Sequence, residues 1–240
     1  MRQVPLDFKY LIIGSGKMAT HFCHYLTCLG YPYAQWARQT HSKDDLKPLL
    51  ANATHVLVLI SDKAIGDFIQ TQVLPQARPA HQIILHFSGQ LTIDGAYSTH
   101  PLGTFPSTLY PNEMYYQVPF ILSQTSPELA ALLPGLSNPS FKIPAAQKAY
   151  YHALCVLSNN FSVILWKKFF QELENTLQLP PQIGLSYLSQ TFYNLSHHPN
   201  SANTGPLARK DLSTIAANLQ ALEHDSFCRI YEAFVNLENI

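Results

Sequence analysis

The segment with the most definite chemistry is a glycine-rich turn near the start of the chain. It reads Gly14-Ser15-Gly16-Lys17-Met18-Ala19, and it lies between an apolar run and a segment of helical periodicity. In such a turn the first glycine permits a tight bend, the second lets the backbone approach a pyrophosphate, and a small third residue keeps the helix close to the sheet. Amides at the helix N-terminus can then bind phosphate oxygens. We predict that these six residues bind a dinucleotide; the alternative is a turn that needs glycine only for its own conformation.

The residues after the second apolar run indicate which dinucleotide binds. NAD sites usually place Asp or Glu at this point, where the acid binds the ribose hydroxyls. Here the chain reads Gln35-Trp36-Ala37-Arg38-Gln39, with Arg38 about where the acid would be. A guanidinium suits a 2′-phosphate, so we predict NADP rather than NAD as the cofactor. The alternative is that Arg38 is a solvated surface residue.

A set of side chains suited to proton handling follows the middle of the chain. Lys148, His152, Cys155 and Asn159 are spaced i, i+4, i+7 and i+11, so they share one face of a helix. An imidazole and a carboxamide there could protonate and orient a carbonyl or imine. We predict that His152 and Asn159 are catalytic and that Lys148 binds substrate. The alternative is that these groups satisfy buried polar atoms between helices.

Further candidates lie at or after the ends of predicted strands. Ligands of open α/β sheets bind at the carboxyl edge, and His100 is expected near that edge as a general acid or substrate anchor. The alternative is a loop histidine that caps the backbone before a proline. Ser61, Ser88 and Gly89 are predicted to line the cofactor site, whereas His86, inside a strand, is predicted to be a satisfied core residue.

A loop between two late helical segments carries a further candidate set. Thr204 and Arg209 could bind an anionic substrate in the cleft of a neighbouring subunit. The alternative is that Arg209 forms a surface ion pair and that Asp211 caps the next helix.

The first 140 residues alternate between apolar, strand-length runs and helical patterns. This order predicts right-handed βαβ units and a parallel sheet, and continuously apolar runs indicate strands covered on both faces. Asp62 is expected to cap the helix that follows the third strand. The predicted strands are Phe8–Ile13, Tyr33–Ala37, His55–Ile60 and Gln82–Phe87, and the predicted helices are Lys17–Leu29 and Lys63–Gln72.

After Pro144 the pattern is almost purely helical. We therefore predict an α/β domain over residues 1–143 and an all-helical domain over residues 144–240. The predicted helices of the second domain are Ala145–Leu177, Gln182–Ser196, Asp211–Leu222 and Asp225–Leu237.

Composition narrows the class of protein. The chain has 240 residues, with 15 Lys and Arg against 15 Asp and Glu, and only 12% of its residues are charged. Zero net charge argues against a general nucleic-acid or membrane-surface binder, and sparse charge favours a homo-oligomer with covered surface. The apolar runs are too short to span a bilayer and the first ten residues lack a secretory core, so we expect a cytoplasmic protein. Scattered cysteines predict reduced thiols, and no metal site is expected.

Six segments together resemble a bacterial group of Rossmann-like proteins. Members are often provisionally labelled NADP oxidoreductases, sometimes deazaflavin-dependent, and their second half is a domain of unknown function. The resemblance implies a Rossmann dinucleotide-binding domain followed by a helical dimerisation domain. One departure is Lys210, which stands where the group has glycine. The segments are Gly14–Ala19, Ile60–Ile65, His86–Gly89, His100–Phe105, Tyr151–Asn160 and Thr204–Asp211.

More distantly, the chain is similar to pyrroline-5-carboxylate reductase, prephenate dehydrogenase and the β-hydroxyacid dehydrogenases. The last of these use a lysine and an asparagine on their long helix, at a different spacing from Lys148 and Asn159. The function expected from residues and resemblance together is hydride transfer between NADP and a small carbonyl, imine or hydroxy acid. The alternative is a sensor or interaction protein that binds NADP(H) without turnover.

Overall fold

A mostly parallel sheet organises the first part of the chain in the computed structural model, which describes residues 8–78 and 81–238. Within them the sheet has seven strands in the order β2-β1-β3-β4-β5-β6-β7. Pairing is parallel from β2 to β5, antiparallel between β5 and β6, and parallel between β6 and β7. The strands are β1 Tyr10–Ile13, β2 Tyr33–Trp36, β3 His55–Val58, β4 Ile83–His86, β5 Tyr97–Pro101, β6 Phe120–Ser123 and β7 Ser140–Ile143.

Helices connect the strands and make up the rest of the chain. Short 3-10 turns precede several of them, and π-helical segments cover Ile69–Val73 and Val156–Phe161. The α-helices are α1 Lys17–Cys28, α2 Leu46–Asn52, α3 Asp62–Phe68, α4 Asn112–Gln117, α5 Leu129–Leu132, α6 Lys148–Cys155, α7 Ser162–Asn175, α8 Gly184–His197, α9 Pro206–Arg209, α10 Leu212–Ala221 and α11 Cys228–Leu237.

The sheet is buried on both faces. Along β1, Tyr10 and Ile12 enter one hydrophobic cluster, whereas Leu11 and Ile13 enter the other. Because side chains alternate across a strand, burial of both sets produces the continuous apolar runs seen in the sequence. The predicted α/β fold with a dinucleotide-binding topology is confirmed.

The order in which the strands are added to the sheet reverses at β1. This strand lies between β2 and β3, and Ile13 is the register partner of both Trp36 and Val58. Connections from a central strand to neighbours on opposite sides leave a crevice at its carboxyl end, which is where open α/β sheets bind ligands. The glycine-rich turn begins at the next residue.

Three strands were not foreseen from the sequence. Strand β5 is polar and ends in proline, and it contains His100, so the alternative of a loop histidine does not hold. Strands β6 and β7 have only four residues each and carry polar or charged side chains. Their pairing depends on partners distant in sequence, so local patterning gives a weak signal for them.

The predicted helix over Ala145–Leu177 is interrupted by the π-helical segment Val156–Phe161. A π-helix bonds i to i+5 instead of i to i+4, which alters the spacing of helix faces. By compactness the chain divides into a first unit that ends at Phe161 and a second that begins at Ser162. Residues 144–161, expected in the second domain, thus group with the sheet; the domain boundary itself stays a prediction.

The regular secondary structure in the described residues of the second unit is all helical. Lys168 forms ion pairs with Glu172 at 2.9 Å and with Asp225 at 2.5 Å. Lys210, the residue at the expected glycine position, adopts a left-handed conformation with φ of 52°. The loop therefore has the backbone that glycine would favour, although lysine occupies it.

Among the described helices, none has both the length and the apolar character that a membrane crossing requires. Residues 1–7, which bear on the expected lack of a secretory signal, lie outside the described ranges.

Candidate functional site

The turn after β1 requires glycine at its first position. Gly14 has φ of +132°, a conformation that L side chains rarely adopt, and a Cβ there would lie 2.2 Å from the carbonyl oxygen of Leu59. The Gly14 amide donates to the Trp36 carbonyl at 2.9 Å, and the Leu59 amide donates to the Ile13 carbonyl at 2.8 Å. These bonds hold the turn against both neighbouring strands.

Helix α1 presents its N-terminus beyond this turn. The first bond of the helix runs from the Thr20 amide to the Gly16 carbonyl at 2.9 Å. Helical geometry leaves the amides of residues 17–19 without an intrahelical acceptor, and the first turn contains no acidic side chain. A Cβ at Gly16 would meet no described heavy atom within 4 Å. The residues therefore form an open site with the partial positive charge that an anion favours.

A cleft of about 450 Å³ opens from this helix N-terminus. Arg38 is exposed on its wall, as a contact to a 2′-phosphate would require, and Ser61 lies on the side formed by the end of β3. The lining residues are Gly14, Ser15, Gly16, Lys17, Met18, Trp36, Ala37, Arg38, Gln39, Leu59, Ile60, Ser61, Ala64 and Phe68.

Two glutamines support the turn, and sequence reasoning assigned them no role. The Ser15 hydroxyl donates to Gln39 Oε1 at 2.5 Å, and Gln35 Nε2 donates to the Gly14 carbonyl at 2.8 Å. The only hint of this role in the sequence was that they lie on either side of Arg38, the position where an NAD site would have an acid. The turn is thus bonded through side chains to the end of β2.

Asp62 connects this cleft to the end of β4. It was expected to cap α3, but it is the first helical residue, and its carboxylate accepts a hydrogen bond from the Ser88 hydroxyl at 2.8 Å. The capping prediction is wrong because Ser61 occupies the cap position, with no side-chain capping bond among the described residues. The Asp62–Ser88 bond joins the carboxyl ends of β3 and β4.

Four residues meet beside Ser88. His100 Nδ1 is 2.8 Å from the Tyr151 hydroxyl, and the rings of His100 and His152 are 6.1 Å apart between centroids. A Cβ on Gly89 would lie 2.6 Å from His152 Cδ2 and 3.1 Å from His100 Nε2, so glycine permits both imidazoles to approach the backbone. The structure thus brings His100, His152 and Gly89 together, as a shared site requires, and adds Tyr151. We call these four residues the histidine cluster.

Lys148 is buried near this cluster, and its ammonium is hydrogen-bonded to other residues of the protein. It is 4% exposed, and its ammonium donates to the Leu91 carbonyl at 2.6 Å and to the Ser98 hydroxyl. Burial lowers the pKa of Lys148 to about 8, and the charge of Asp62 opposes the shift. Lys148 therefore joins α6 to β5 and to the loop after β4. Its predicted role in binding substrate stays a prediction.

His86 is buried as expected but is not fully satisfied. Its Nδ1 accepts from the Ser88 amide at 3.3 Å, whereas its Nε2 has no partner among the described residues. Burial lowers the pKa of His86 to about 4, with a further contribution from Lys148. Burial likewise lowers the pKa of His100 to about 4, reinforced by His152 and Lys148. Both imidazoles are therefore neutral near pH 7, which argues against His100 as a resting general acid.

These shifts predict acid sensitivity of the fold. Between pH 6.5 and 4 the unfolded chain binds protons at His86 that the folded chain does not, so the free energy of unfolding falls as pH decreases. For fully buried His86 the loss approaches about 3 kcal/mol at pH 4. Urea denaturation at several pH values should show a shallower decline for His86→Asn than for wild type. Exposed His81→Asn is the control, and equal declines in wild type and His86→Asn would contradict the prediction.

The remaining predicted residues make local contacts. Asn159 is exposed in the π-helical segment and donates to Asn160 Oδ1 at 3.1 Å. Arg209 donates to the Thr204 carbonyl at 2.5 Å within the second unit. Asp211 caps α10 by accepting from the Thr214 amide, as the structural alternative expected. Catalysis by Asn159 and substrate binding by Thr204 and Arg209 stay predictions.

Comparisons with known proteins agree with this architecture. Residues 123–237 match the model of a family described as a domain of unknown function, DUF2520. A provisionally named NADP oxidoreductase from Bacteroides fragilis has a similar structure, with a TM-score of 0.78, 22% identity, and coverage of 97% of this chain and 98% of that one. The comparison with curated proteins gives no match.

Two further structures share the fold. Protein TM1727 from Thermotoga maritima has a TM-score of 0.66 at 22% identity, over 96% of both chains. Pyrroline carboxylate reductase from Plasmodium falciparum, solved with NADP bound, has a TM-score of 0.59 at 10% identity, over 97% of this chain and 96% of that one. At these identities the likeness establishes the fold alone. The chain therefore has a Rossmann-like fold, and its residues 123–237 match the DUF2520 family model, as the sequence resemblance implied.

Proposed function

We propose that this protein is an NADP(H)-dependent oxidoreductase that acts on a small carbonyl, imine or hydroxy-acid substrate. The observation that carries the proposal is the Gly14–Ala19 turn, which opens the N-terminus of α1 into a cleft with Arg38 on its wall. The structural neighbours named as NADP oxidoreductase and as an NADP-bound reductase support this cofactor. When bound, the nicotinamide supplies or accepts a hydride.

The chain's own residues divide the remaining work by position. The amides of residues 17–19 bind the pyrophosphate, and Arg38 contacts the 2′-phosphate. Ser88 and Gly89, joined to the cleft through the Asp62–Ser88 bond, face the nicotinamide end. The histidine cluster follows directly after them and orients the substrate.

Replacement of Arg38 by alanine is expected to weaken NADPH binding by about 10- to 100-fold, the range for a lost charge-assisted hydrogen bond. NADH affinity should change by less than about threefold, because NADH lacks the 2′-phosphate. Fluorescence titration of both nucleotides measures the two affinities. Exposed Arg78→Ala, at the far end of the α3 connection, is the matched control. Equal losses for both nucleotides would contradict the 2′-phosphate contact, and no binding of either would overturn the proposed cofactor.

We also propose that the protein is a homodimer through its C-terminal helices. Large apolar side chains are exposed along the second unit, including Phe192 at 71% and Tyr187 at 59%. A soluble chain rarely leaves such side chains uncovered in number, and self-association is one way to bury them.

Sedimentation equilibrium is expected to show a dimer for wild type and a monomer for Phe192→Glu, because a buried unpaired charge opposes association. Gln190→Glu, which adds the same charge at a nearby exposed position of α8, should remain dimeric. A monomeric wild type at micromolar concentration would contradict the proposed dimer.

A further inference from the structure

We propose that Tyr151 holds His100 as the imidazole tautomer with its proton on Nε2, and that this N–H recognises a carbonyl or hydroxyl oxygen of the substrate. Tyr151 is then a positioning residue, which acts through His100. The inference rests on the proposed function and narrows its substrate class, since it excludes the imine and amine pair.

The tautomer follows from the contact at Nδ1. The Tyr151 hydroxyl is 2.8 Å from this atom, and an imidazole nitrogen is a far better acceptor for a phenol than the neighbouring thiol of Cys155. Burial raises the pKa of Tyr151, so the phenol keeps its proton and donates. His100 holds one proton near pH 7, because burial, His152 and Lys148 lower its pKa to about 4. With Nδ1 accepting, that proton is on Nε2.

The position of Nε2 is suited to a ligand. Among the described residues the hydrogen bond of the His100 ring uses Nδ1 and leaves Nε2 available. It lies next to Gly89, where a Cβ would be only 3.1 Å away, so glycine brings the backbone after Ser88 close to this atom. Gly89 follows Ser88, whose bond to Asp62 leads to Ser61 in the wall of the nucleotide cleft. A substrate beside Gly89 therefore lies at the end of the cleft where the nicotinamide is proposed.

Charge at the cluster favours oxygen over a cationic nitrogen. Lys148 and His152 both disfavour positive charge at His100, and Oδ2 of Asp62, the opposing group, already accepts hydrogen bonds from Ser88 and Gln90. A protonated imine carries positive charge, which the same surroundings disfavour, and its N–H needs a hydrogen-bond acceptor. His100 Nε2–H would instead present it with a second donor. A carbonyl oxygen accepts from Nε2, and negative charge grows on it during reduction.

The chemistry balances without proton donation by His100. Bound reduced nicotinamide would give up a hydride to form the new C–H bond and become oxidised, and the C=O π pair would move to oxygen. A water molecule would supply the proton that completes the hydroxyl, leaving hydroxide. His100 keeps its Nε2 proton throughout and stabilises the charge on oxygen through the hydrogen bond.

The tautomer is tested by ¹H–¹⁵N correlation of protein labelled at histidine, with the His100 signals assigned from His100→Gln. Wild type at pH 7 should show a protonated Nε2 and an unprotonated Nδ1. In Tyr151→Phe the ratio of tautomers should shift by about fivefold towards Nδ1-H, the effect of one hydrogen bond. Tyr150→Phe, at a neighbouring side chain that is 69% exposed, is the control and should match wild type. If Tyr151→Phe does not fold, the wild-type spectrum alone decides the tautomer, and a wild-type proton on Nδ1 would overturn the proposal.

Substrate class is tested on the same labelled protein with a matched pair of five-membered rings, cyclopentanone and pyrrolidine, which is cationic at pH 7. Cyclopentanone should shift the His100 Nε2 signal at millimolar concentration, and pyrrolidinium should leave it unchanged. A shift with pyrrolidinium, or with neither probe, would overturn oxygen recognition. NADPH titration of Tyr151→Phe separates this inference from the proposed function, because its NADPH affinity should equal that of wild type. If wild type itself fails to bind NADPH, the proposed function is rejected. The tautomer result does not depend on that outcome.

Discussion

Substitution of Gly14 by alanine is expected to abolish detectable NADPH binding and to destabilise the first unit by about 2–4 kcal/mol. A Cβ at this position would lie 2.2 Å from the Leu59 carbonyl oxygen, and φ is +132°. Neither conflict can be relieved by a side-chain rotation, since the obstacle is the backbone of the loop after β3. The turn must move away from the position that directs α1 into the cleft.

Gly16→Ala is the variant that separates folding from binding. Its backbone has φ of −74°, and a Cβ would meet no described atom within 4 Å. We expect nearly wild-type stability, with loss of nucleotide affinity because the methyl group occupies the approach of the pyrophosphate. Urea denaturation and NADPH fluorescence titration of both variants measure the two effects. Wild-type affinity in Gly16→Ala would place the phosphates elsewhere.

Substitution of Gly89 by alanine is expected to reduce turnover by about 100-fold on any substrate that wild type accepts. The new Cβ would lie 2.6 Å from His152 Cδ2 and 3.1 Å from His100 Nε2, so both imidazoles must move. A displacement of about 1 Å at a reacting centre can cost about two orders of magnitude. NADPH affinity should fall much less, because the phosphate contacts are proposed at the turn after β1.

Steady-state oxidation of NADPH measures the loss of turnover, and a parallel titration measures the change in NADPH affinity. Gly66→Ala is the matched control, since it adds the same methyl group in α3 where no described atom lies within 4 Å. Unchanged turnover in Gly89→Ala would remove the histidine cluster from catalysis. Binding of NADPH without turnover of any substrate by wild type would favour the sensor alternative.

The residues that line the cleft beside α1 were predictable because their placement is local in sequence. A strand, a turn and a helix within about 20 residues determine the Gly14 conformation and the direction of α1. The position of Arg38 on the cleft wall was predictable in the same way, since it follows β2 closely; its contact with a 2′-phosphate stays a prediction. The support from Gln35 and Gln39 was missed because a side chain that bonds the turn has no distinct sequence pattern.

The histidine cluster was predictable only in part. His100 and His152 were selected as proton-handling groups, but His100 and Tyr151 are 51 residues apart, and only the packing of α6 against β5 brings them together. The π-helical segment also had no signal in the hydrophobic pattern. It places Asn159 beyond a change of helix type, so the i, i+11 spacing from Lys148 did not show where the carboxamide would lie.

The proposed binding of NADP(H) across the carboxyl edge of the sheet would be seen in a crystal structure of the NADPH complex. We expect a pyrophosphate on the amides of residues 17–19, the 2′-phosphate within hydrogen-bonding distance of Arg38, and the nicotinamide beside Gly89 and His100. A nucleotide bound elsewhere, or none at millimolar NADPH, would contradict it.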